Sequence, residues 1–500
     1  MRPQPPANRV HPSGMPNRDA FSQTRSVVEP GGFRAISRWL SASDTTGNRR
    51  TIYSRIPAGM PGRSNEMNIN PENLPDSWQI KPIREAYSFT KKPRGIFIRD
   101  GETVPFLPME AIPIGRVHVT DYQERLGAKL TSGTYIENGD LLVAKITPSF
   151  ENGKQAIVDW PHKYGFATTE VIPVQEIPSI SDKEFLFHLL LHPAIRSDLA
   201  GKMDGTTGRQ RLSKEVFGSR LIPLPPLAEQ RKIASVLSLV QRAIEQQERL
   251  RARTAELKKA LLHQLFTQGL RGEPQKQTEI GLVPESWRVA TLEGLTLSLD
   301  YGTSVKCDYH KAGFPVLRIP NVVDGTIDFS DLKLGEPKRS ELDSLKLRNG
   351  DLLFVRTNGV QENAGRCALF RGELKNCYFA SYLIRARVNT AFLLPAFLNE
   401  YARTESGKSF LSGRAIRTAD GKFNINTGTL KTVLLPLPSA EEQADIVFRL
   451  DLVESKLRLH QRKHAALTAL FRTLLHQLMT AKIRVHDLDD FVPGQLEAMR

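Results

Sequence analysis

The sequence of 500 residues contains only three cysteines, Cys307, Cys367 and Cys377, and no Cys-x-x-Cys pair. So few cysteines, in an odd number, argue against a disulfide framework, and the missing pairs argue against a zinc finger. No run of about 18 apolar residues is present, so no membrane-spanning helix is expected. The first residues also lack the apolar core of a signal peptide. These absences predict a cytoplasmic protein.

Motifs of the common enzyme classes are also missing. Thr404–Ser409 resembles the end of a nucleotide-binding P-loop, but Ala402 stands where the first glycine belongs. His460 and His464 have the spacing of a zinc-protease helix, but Gln461 replaces the catalytic glutamate. Neither a Gly-x-Ser-x-Gly motif nor an Asn-Pro-Pro-aromatic motif is found. We therefore expect no catalytic residues, no bound metal and no cofactor.

Acidic residues are outnumbered, with 54 Asp and Glu against 69 Lys and Arg, for a net charge of +15. More than half of this excess lies in residues 1–70 and 226–271, so only local clusters can argue for nucleic acid. Residues 1–70 are rich in Pro, Ser, Asn and Arg, which predicts a disordered basic arm. This arm is consistent with DNA binding, with organelle targeting, or with a misplaced start, since Met67 lies just before the first motif discussed below.

The chain contains an internal repeat, in which five short segments return in the same order about 210 residues later. The pairs are Leu74–Ile80 with Val283–Val289, Asn138–Leu142 with Asn349–Leu353, Phe166-Ala167 with Phe379-Ala380, Pro223–Pro225 and Glu229-Gln230 with Pro436–Pro438 and Glu442-Gln443, and Leu261–Leu265 with Leu474–Leu478. One such match would be chance, but five in order indicate a duplication.

Each copy begins with about 150 residues of mixed α/β (α+β) character, a standard domain size. Asn138–Asp140 and Asn349–Asp351 are turn sequences that lead into apolar runs typical of β-strands. Lys183–Leu191 and Pro395–Ala402 have helical composition. The sequence predicts two mixed domains of the same fold.

Each copy ends in a long predicted helix with the alternating four- and three-residue spacing of a coiled-coil seam. In the second helix the seam holds Ile446, Leu450, Val453, Leu457, His460, His464, Leu467, Phe471, Leu474 and Leu478, with both histidines predicted as polar seam residues. In the first it holds Ile233, Leu237, Val240, Ile244, Leu261 and Leu265, with polar Gln247, Arg251, Thr254 and Lys258 in the middle and Leu250 and Leu257 continuing an apolar stripe. We predict an antiparallel pair that relates the two domains by an approximate twofold axis.

The repeated motifs resemble a known family. Leu74–Trp78 opens the first copy, and Ile222–Gln230, with the sequence Ile-Pro-Leu-Pro-Pro-Leu-Ala-Glu-Gln, closes it at the start of a long helix. This pattern, present in both copies over residues 71–481, resembles the DNA-specificity subunit of a type I restriction-modification enzyme. The second copy departs from it at Ser439-Ala440 but keeps Glu442-Gln443 and Ile446.

The resemblance implies two target recognition domains, each reading one half of a split, asymmetric site in double-stranded DNA. The helices would set the spacing and dock two methyltransferase subunits. S-adenosylmethionine, ATP and Mg²⁺ would belong to the methyltransferase and restriction subunits. The implied boundaries are a basic arm at 1–70, recognition domains at 71–225 and 282–438, helices at 226–271 and 439–481, a linker at 272–281 and a tail at 482–500.

Clusters of basic residues beside glycines are the predicted DNA contacts. They lie before each long helix and in an early segment that also holds Gly95 and Phe97. The first domain supplies Lys91, Lys92, Arg94, Arg99, Lys202, Arg209, Arg211 and Lys214, and the second supplies Arg403, Lys408, Arg414, Arg417 and Lys422. Two alternatives stay open, a nuclease or methyltransferase with obscured motifs and a coiled-coil scaffold that binds no DNA.

Overall fold

The computed structural model describes residues 74–130, 132–206, 208–310 and 312–486. The predicted arm at 1–70 and most of the predicted tail lie outside these ranges. The described residues fall into two compact units, one formed by residues up to 241 together with those from 470 onward, the other by residues 242–469. We call them unit 1 and unit 2. Each unit contains a part of both long helices, so the helices are not a separate domain.

Unit 1 has a mixed α/β fold, as predicted. Its strands are β1 Gln79–Pro82, β2 Tyr87–Phe89, β3 Thr103–Leu107, β4 His118–Val119, β5 Gln123–Leu126, β6 Thr134–Glu137, β7 Leu141–Ala144, β8 Gln155–Val158, β9 Tyr164–Ala167, β10 Val171–Glu176, β11 Asp204–Thr206, β12 Arg209–Arg211 and β13 Leu221–Leu224. Its short helices are α1 Ile83–Ala86, α2 Lys183–Leu189, α3 Pro193–Ala200 and α4 Lys214–Ser219.

Two sheets form the body of unit 1, in the orders β2-β10-β7-β8-β4 and β5-β3-β9-β6. Strand β7 follows the turn Asn138–Asp140, where Gly139 takes a φ of 89° that favours glycine. The buried Asp140 closes this turn, because its Oδ2 accepts the Glu137 amide at 2.8 Å. All four residues of β7 are buried, since both faces of the strand are covered.

The first long helix, α5 Leu227–Gln268, joins the two units. Unit 2 continues with β14 Gln275–Thr278, β15 Gly281–Pro284, β16 Arg288–Thr291, β17 Thr296–Tyr301, β18 Phe314–Leu317, β19 Val322–Val323, β20 Thr326–Ile327, β21 Lys333–Gly335, β22 Leu352–Val355, β23 Thr357–Asn358, β24 Cys367–Leu369, β25 Tyr378–Phe379, β26 Leu383–Val388, β27 Ile416–Arg417, β28 Phe423–Asn424 and β29 Leu434–Leu437. Its helices are α6 Leu292–Leu295, α7 Pro395–Tyr401, α8 Glu405–Leu411, α9 Thr427–Lys431 and the second long helix, α10 Ala440–Met479.

Unit 2 has the same mixed character. Its larger sheets have the orders β17-β26-β22-β24, β21-β18-β25 and β23-β28-β27. Strand β22 follows the turn Asn349–Asp351, as β7 follows its counterpart in unit 1. Residues 272–281, predicted as a linker, contribute to an antiparallel hairpin of β14 and β15. The backbone there is hydrogen-bonded, so this linker has regular structure.

The repeated motifs of each copy meet in space. In unit 1, β1 after Trp78 pairs with β13 of the Pro-Leu-Pro motif, and the Trp78 indole donates to Glu229 at 3.0 Å. In unit 2, β16 pairs with β29, and the Trp287 indole donates to Glu442 at 3.3 Å. The tryptophan and the glutamate recur together because they form one hydrogen bond across more than 150 residues of chain.

The glutamine beside each glutamate fastens the start of the long helix. Oε1 of Gln230 accepts the Asp182 amide at 2.9 Å, while its Nε2 donates to the carbonyls of Ile180 and Pro225. These bonds satisfy a fully buried amide side chain. In unit 2, Gln443 makes the same three bonds, with the Leu394 amide and the Phe392 and Pro438 carbonyls.

The long helices contact each other in opposite directions within unit 2. Gln247 Oε1 lies 2.9 Å from His460 Nδ1, Lys258 pairs with Glu454, and the Leu270 amide donates to Glu442 at 3.2 Å. Partner numbers on α10 fall as those on α5 rise, so the segments run antiparallel. In unit 1, Arg484 beyond the end of α10 pairs with Glu229 near the start of α5 at 2.7 Å.

The predicted seam residues are buried or half-buried on both helices except Arg251, which is exposed, so its prediction as a seam residue is wrong. His460 and His464 contact Gln247 and Glu248 of α5. The predicted apolar stripe through the middle of α5 is wrong at Leu257, which is 55% exposed. Thr254 and Lys258 are buried instead. The seam continues through these polar positions because Lys258 pairs with Glu454 of α10.

Helix lengths also bear on membranes. Through the chain from residue 74 to 486, apart from three single positions, no helix is apolar over a length that could cross a bilayer.

Candidate nucleic-acid interface

The glycine-containing basic segment before α4 is a β-hairpin. Strands β11 and β12 pair with Thr206 opposite Arg209 and Asp204 opposite Arg211. Gly205 and Gly208 have φ values of 139° and 83°, and a Cβ on Gly205 would lie 2.5 Å from the Arg209 carbonyl oxygen. Glycine at these positions therefore permits the tight hairpin. Arg209 is exposed at its tip.

Lys145, at the end of β7, anchors this hairpin. Its carbonyl accepts the Leu212 amide at 2.7 Å, and the Thr147 amide donates to the Gln210 carbonyl at 3.0 Å. The backbone amide of Lys145 donates to the Glu170 carbonyl at 2.9 Å. Lys145 was not among the predicted DNA contacts, although it directly follows the strand predicted after the Asn-Gly-Asp turn.

Arg211 is already held by an acidic partner. Its Nη2 and Nε lie 2.7 and 3.0 Å from the two carboxylate oxygens of Glu170, a bidentate pair. Hydrogen bonding from Arg211 lowers the pKa of Glu170, with a further lowering contribution from the charge of Lys145. Arg211 is thus oriented by Glu170, whereas Arg209 projects from the tip.

Two clusters that the sequence predicted separately meet in unit 1. Lys214 lies over the ring of Phe89, 4.6 Å from its centroid. Burial lowers the pKa of Lys214, and the nearby charge of Lys91 lowers it further. Lys145, Arg211 and Lys214 line one cleft of about 570 Å³ together with Asp204 and Glu215, and Thr90, the neighbour of Lys91 in the chain, also lines it. The three cations outnumber the two carboxylates, and such an excess of positive charge in a cleft suits a phosphate backbone.

The other predicted cations of unit 1 lie around this cleft or apart from it. Lys92 lies 5.7 Å from the centroid of the Phe166 ring, and Arg94 and Arg99 are exposed. Lys202 pairs with Asp198 of α3 at 3.0 Å on the surface. An exposed pair of this type is weak, so it leaves Lys202 available to a polyanion.

Unit 2 repeats the anchored hairpin. The hairpin of β27 and β28 pairs with β23, directly after Arg356 at the end of β22. The Arg356 carbonyl accepts the Ile425 amide at 2.8 Å, and the backbone amide of Arg356 donates to the Tyr382 carbonyl at 2.9 Å. Arg356 therefore occupies the position of Lys145, and it too was not among the predicted DNA contacts. Its guanidinium lies over the Tyr301 ring, 4.8 Å from the centroid.

Three predicted cations belong to this second hairpin region. Arg417 is exposed on β27, and Lys422 pairs with the exposed Asp420 at 2.8 Å. Arg414 lies over the Phe410 ring at 4.5 Å and donates to Thr432 at 3.2 Å. Tyr382, which is 59% exposed, lies near Lys422 and adds an aromatic surface to the cluster.

Arg403 has a different environment from the one predicted. Its side chain is 13% exposed and contacts Glu400 and Asp324, both at 3.1 Å. A guanidinium between two carboxylates is neutralised within the fold and is poorly placed to bind phosphate, so its prediction as a DNA contact is corrected to a structural role. Lys408 is exposed on α8 and lines a groove of about 930 Å³ with Arg403 and Lys258.

The segment that resembles a P-loop is the start of α8. The Thr404 hydroxyl caps this helix by accepting the Gly407 amide at 2.9 Å, which removes a donor that a phosphate would need. Within the four described ranges, no three His, Cys, Asp or Glu side chains form a group suited to a metal ion.

Comparison with known proteins identifies relatives. Residues 76–253 match the family model of the type I restriction modification DNA specificity domain. The chain is 26% identical over 398 residues to the EcoKI specificity subunit of Escherichia coli K12, covering 76% of this chain and 82% of that protein. It is 23% identical over 429 residues to the MjaVIII specificity subunit of Methanocaldococcus jannaschii, covering 83% and 95%.

The fold has a solved counterpart in the S subunit of a type I restriction-modification system from M. genitalium. The likeness has a TM-score of 0.51 at 15% identity and covers 80% of this chain and 96% of that one. The chain is thus a two-unit protein in which residues 76–253 match the model of a DNA-specificity domain. It is related to the specificity subunits of type I restriction enzymes, so the resemblance predicted from the repeated motifs is confirmed.

Proposed function

We propose that this chain is the non-catalytic DNA-specificity subunit of a type I restriction-modification complex in the cytoplasm. Each recognition domain reads one half of a split, asymmetric site. The observation that carries the proposal is the anchored basic hairpin present in both units, at Lys145 in one and Arg356 in the other. The two hairpins share their backbone bonds and differ in side chains, as two readers of different half-sites require.

The long helices set the spacing of the two half-sites. Their antiparallel contacts in unit 2 and the Arg484–Glu229 pair in unit 1 support a coiled coil with an approximate twofold relation between the copies. Equivalent motifs fasten each helix start to its own domain. A mismatch between helix length and half-site separation would then have to be absorbed by the DNA or by partner subunits.

The outer faces of the helices dock two methyltransferase subunits. On α10, Phe448, Leu452 and Leu459 are 68%, 63% and 43% exposed, and at about 3.6 residues per turn they fall within about 40° of one another. Exposed apolar residues aligned on one helix face are typical of a protein interface. Among the polar residues in the middle of α5, Gln247 and Lys258 contact α10 and Thr254 is buried, so only Arg251 remains exposed for a partner.

Docking is tested by the double substitution Phe448→Glu with Leu452→Glu. Co-expression with a methyltransferase subunit and native mass spectrometry should show two bound copies for the unchanged chain and fewer for this variant. Phe392→Glu, at an exposed phenylalanine outside the helices, is the matched control and should keep both copies. A complex that only ever contains one methyltransferase would refute the two-site proposal.

The recognition function is tested by exchanging residues 71–225 for the matching domain of another specificity subunit. One half of the methylated sequence should change while the other half remains. A change in both halves, or in neither, would contradict two independent readers. Methylation by the isolated chain with S-adenosylmethionine would contradict the non-catalytic role.

A further inference from the structure

Phe97 is an exposed aromatic side chain that the proposed recognition mode leaves unused. It is 86% exposed in the segment between β2 and β3. Its neighbours Ile96 and Ile98 are half-buried and pack against the small core that contains Phe106 and Phe166. Because both neighbours point inward, the backbone holds Phe97 outward, and the ring cannot join the core without displacing them.

In the corresponding segment of unit 2, the aromatic residue is held by side chains of its own unit. Strands β3 and β18 correspond, since each pairs in parallel with one strand that carries the repeated Phe-Ala motif. Before β18, the Tyr309 hydroxyl donates to Asp331 at 2.8 Å, and Lys333 lies 4.6 Å from its ring centroid. Tyr309 is thus secured to its own unit, whereas Phe97 projects from a segment anchored at both sides.

The segment around Phe97 carries more cations than carboxylates. Lys91, Lys92, Arg94 and Arg99 are all exposed in it, against the exposed Asp100 and Glu102, and Gly95 turns the chain with a φ of 90°. Lys91 lies close enough to Lys214 for its charge to lower the pKa of that lysine. Because Lys214 lines the cleft beside the anchored hairpin, the segment adjoins this cleft. A single exposed apolar residue is ordinary, but an outward aromatic ring between cations matches a ligand with anionic edges and a stacked apolar interior. Duplex DNA has this arrangement.

We propose that Phe97 is an apolar wedge that inserts at a base step of the half-site bound by unit 1, while the surrounding cations hold the phosphates. This rests on the proposed function, because it assumes that unit 1 binds DNA. Insertion partly unstacks one step, so half-site selection depends on how easily that step deforms as well as on base contacts. The corresponding segment of unit 2 inserts no ring, since its Tyr309 is held by Asp331.

The test uses the complete complex and a duplex carrying its methylated site, with 2-aminopurine placed at successive positions of each half. Unstacking of 2-aminopurine raises its fluorescence. The unchanged complex should give an increase at one step in the half-site of unit 1. Phe97→Ala should abolish the increase and weaken binding about tenfold or more, while Phe97→Leu should retain part of both. Phe392→Ala, which removes an equally aromatic exposed side chain in unit 2, should change neither.

The outcomes separate this inference from the proposed function. If the unchanged complex does not bind the duplex, the DNA-binding function itself fails. If it binds tightly without any fluorescence increase, or if Phe97→Ala leaves the increase intact, the wedge is contradicted while recognition stands. If Phe97→Ala instead releases a methyltransferase subunit, the ring contacts protein rather than bases, and the inference is also wrong.

Discussion

Arg209 and Arg211 lie two residues apart on the same strand, yet their surroundings differ. Glu170 binds Arg211 through two hydrogen bonds, whereas Arg209 projects at the hairpin tip beside Gly208. In the sequence both are arginines in a basic loop, and nothing distinguishes them. The difference follows from Glu170, which is about forty residues distant in the chain and approaches only after folding.

Arg209→Ala should weaken DNA binding by about 1–3 kcal/mol if this side chain contacts a base. Fluorescence anisotropy with the methylated duplex and with duplexes altered in one half-site measures the effect. A base contact predicts loss of discrimination at one position, and a phosphate contact predicts equal weakening on every sequence together with a smaller salt dependence. Arg116→Ala, an exposed arginine away from the cleft, is the control. Unchanged affinity for Arg209→Ala would remove it from the interface.

The turn aspartates of the two units have different partners. Asp351 receives two hydrogen bonds of 2.8 Å from Arg387, whereas Gln175 occupies the equivalent position in unit 1. Burial without such a cation raises the pKa of Asp140 from 3.8 to about 6. The folded state thus binds this proton more tightly than the unfolded state between about pH 4 and 6. The contribution of Asp140 to stability therefore falls as pH rises through that window.

Gln175→Arg should supply the missing cation and lower the pKa of Asp140. We expect the melting temperature of the variant to fall less than that of the unchanged chain from pH 4.5 to pH 7. The difference corresponds to about 1–3 kcal/mol in the free energy of unfolding. Differential scanning fluorimetry at both pH values measures this. Gln123→Arg, the same change at an exposed position of β5, is the control. Identical pH dependence in the variant and the unchanged chain would contradict the burial of an unpaired carboxylate at Asp140.

At the scale of elements, the middle of the long helix pair depends on a polar contact. Lys258 and Glu454 have side-chain exposures of 11% and 20%, so each loses most of its hydration. Arg403 and Arg458 lie 3.9 Å from Glu454 and would compensate only in part for a lost lysine. The ion pair replaces the apolar contact that Leu257 was predicted to make.

Lys258→Met should therefore destabilise unit 2 by about 1–3 kcal/mol, because Glu454 loses its nearest cation. Lys259→Met changes an exposed neighbour and should have an effect within about 0.5 kcal/mol. Adding Glu454→Met to Lys258→Met should recover much of the loss. Urea unfolding of these proteins and of Glu454→Met alone completes the double-mutant cycle and measures the coupling. Equal effects of Lys258→Met and Lys259→Met would show that the pair does not hold the helices.

Much of the element structure was predictable because it depends on local pattern. The turn at Asn138–Asp140, the helix after Lys183 and the long helices follow from glycine and aspartate chemistry and from apolar spacing. The roles of Lys145 and Arg356 were not predictable, because the hairpin that defines them returns from about sixty residues further along the chain. The prediction for Leu257 was wrong for a similar reason. Lys258 contacts α10 in its place because Glu454 of that helix pairs with it.

At the scale of the whole molecule, duplication explains both what is repeated and what differs. The Trp–Glu and Gln contacts that attach each domain to its long helix are retained in both copies. The surfaces around the hairpins differ, with Glu170 and Arg211 in one unit and Tyr382 and Lys422 in the other. Retained attachment with altered surfaces is what a reader of two unlike half-sites needs, whereas a symmetric homodimer would be restricted to palindromes.

Two diverged recognition domains in one chain should define a split DNA sequence. Methylome sequencing of cells with and without the gene is the test. We expect a methylated motif that depends on the gene and consists of two different specified halves separated by a fixed unspecified gap. A continuous motif, a palindrome, or a methylome that does not change with the gene would contradict it.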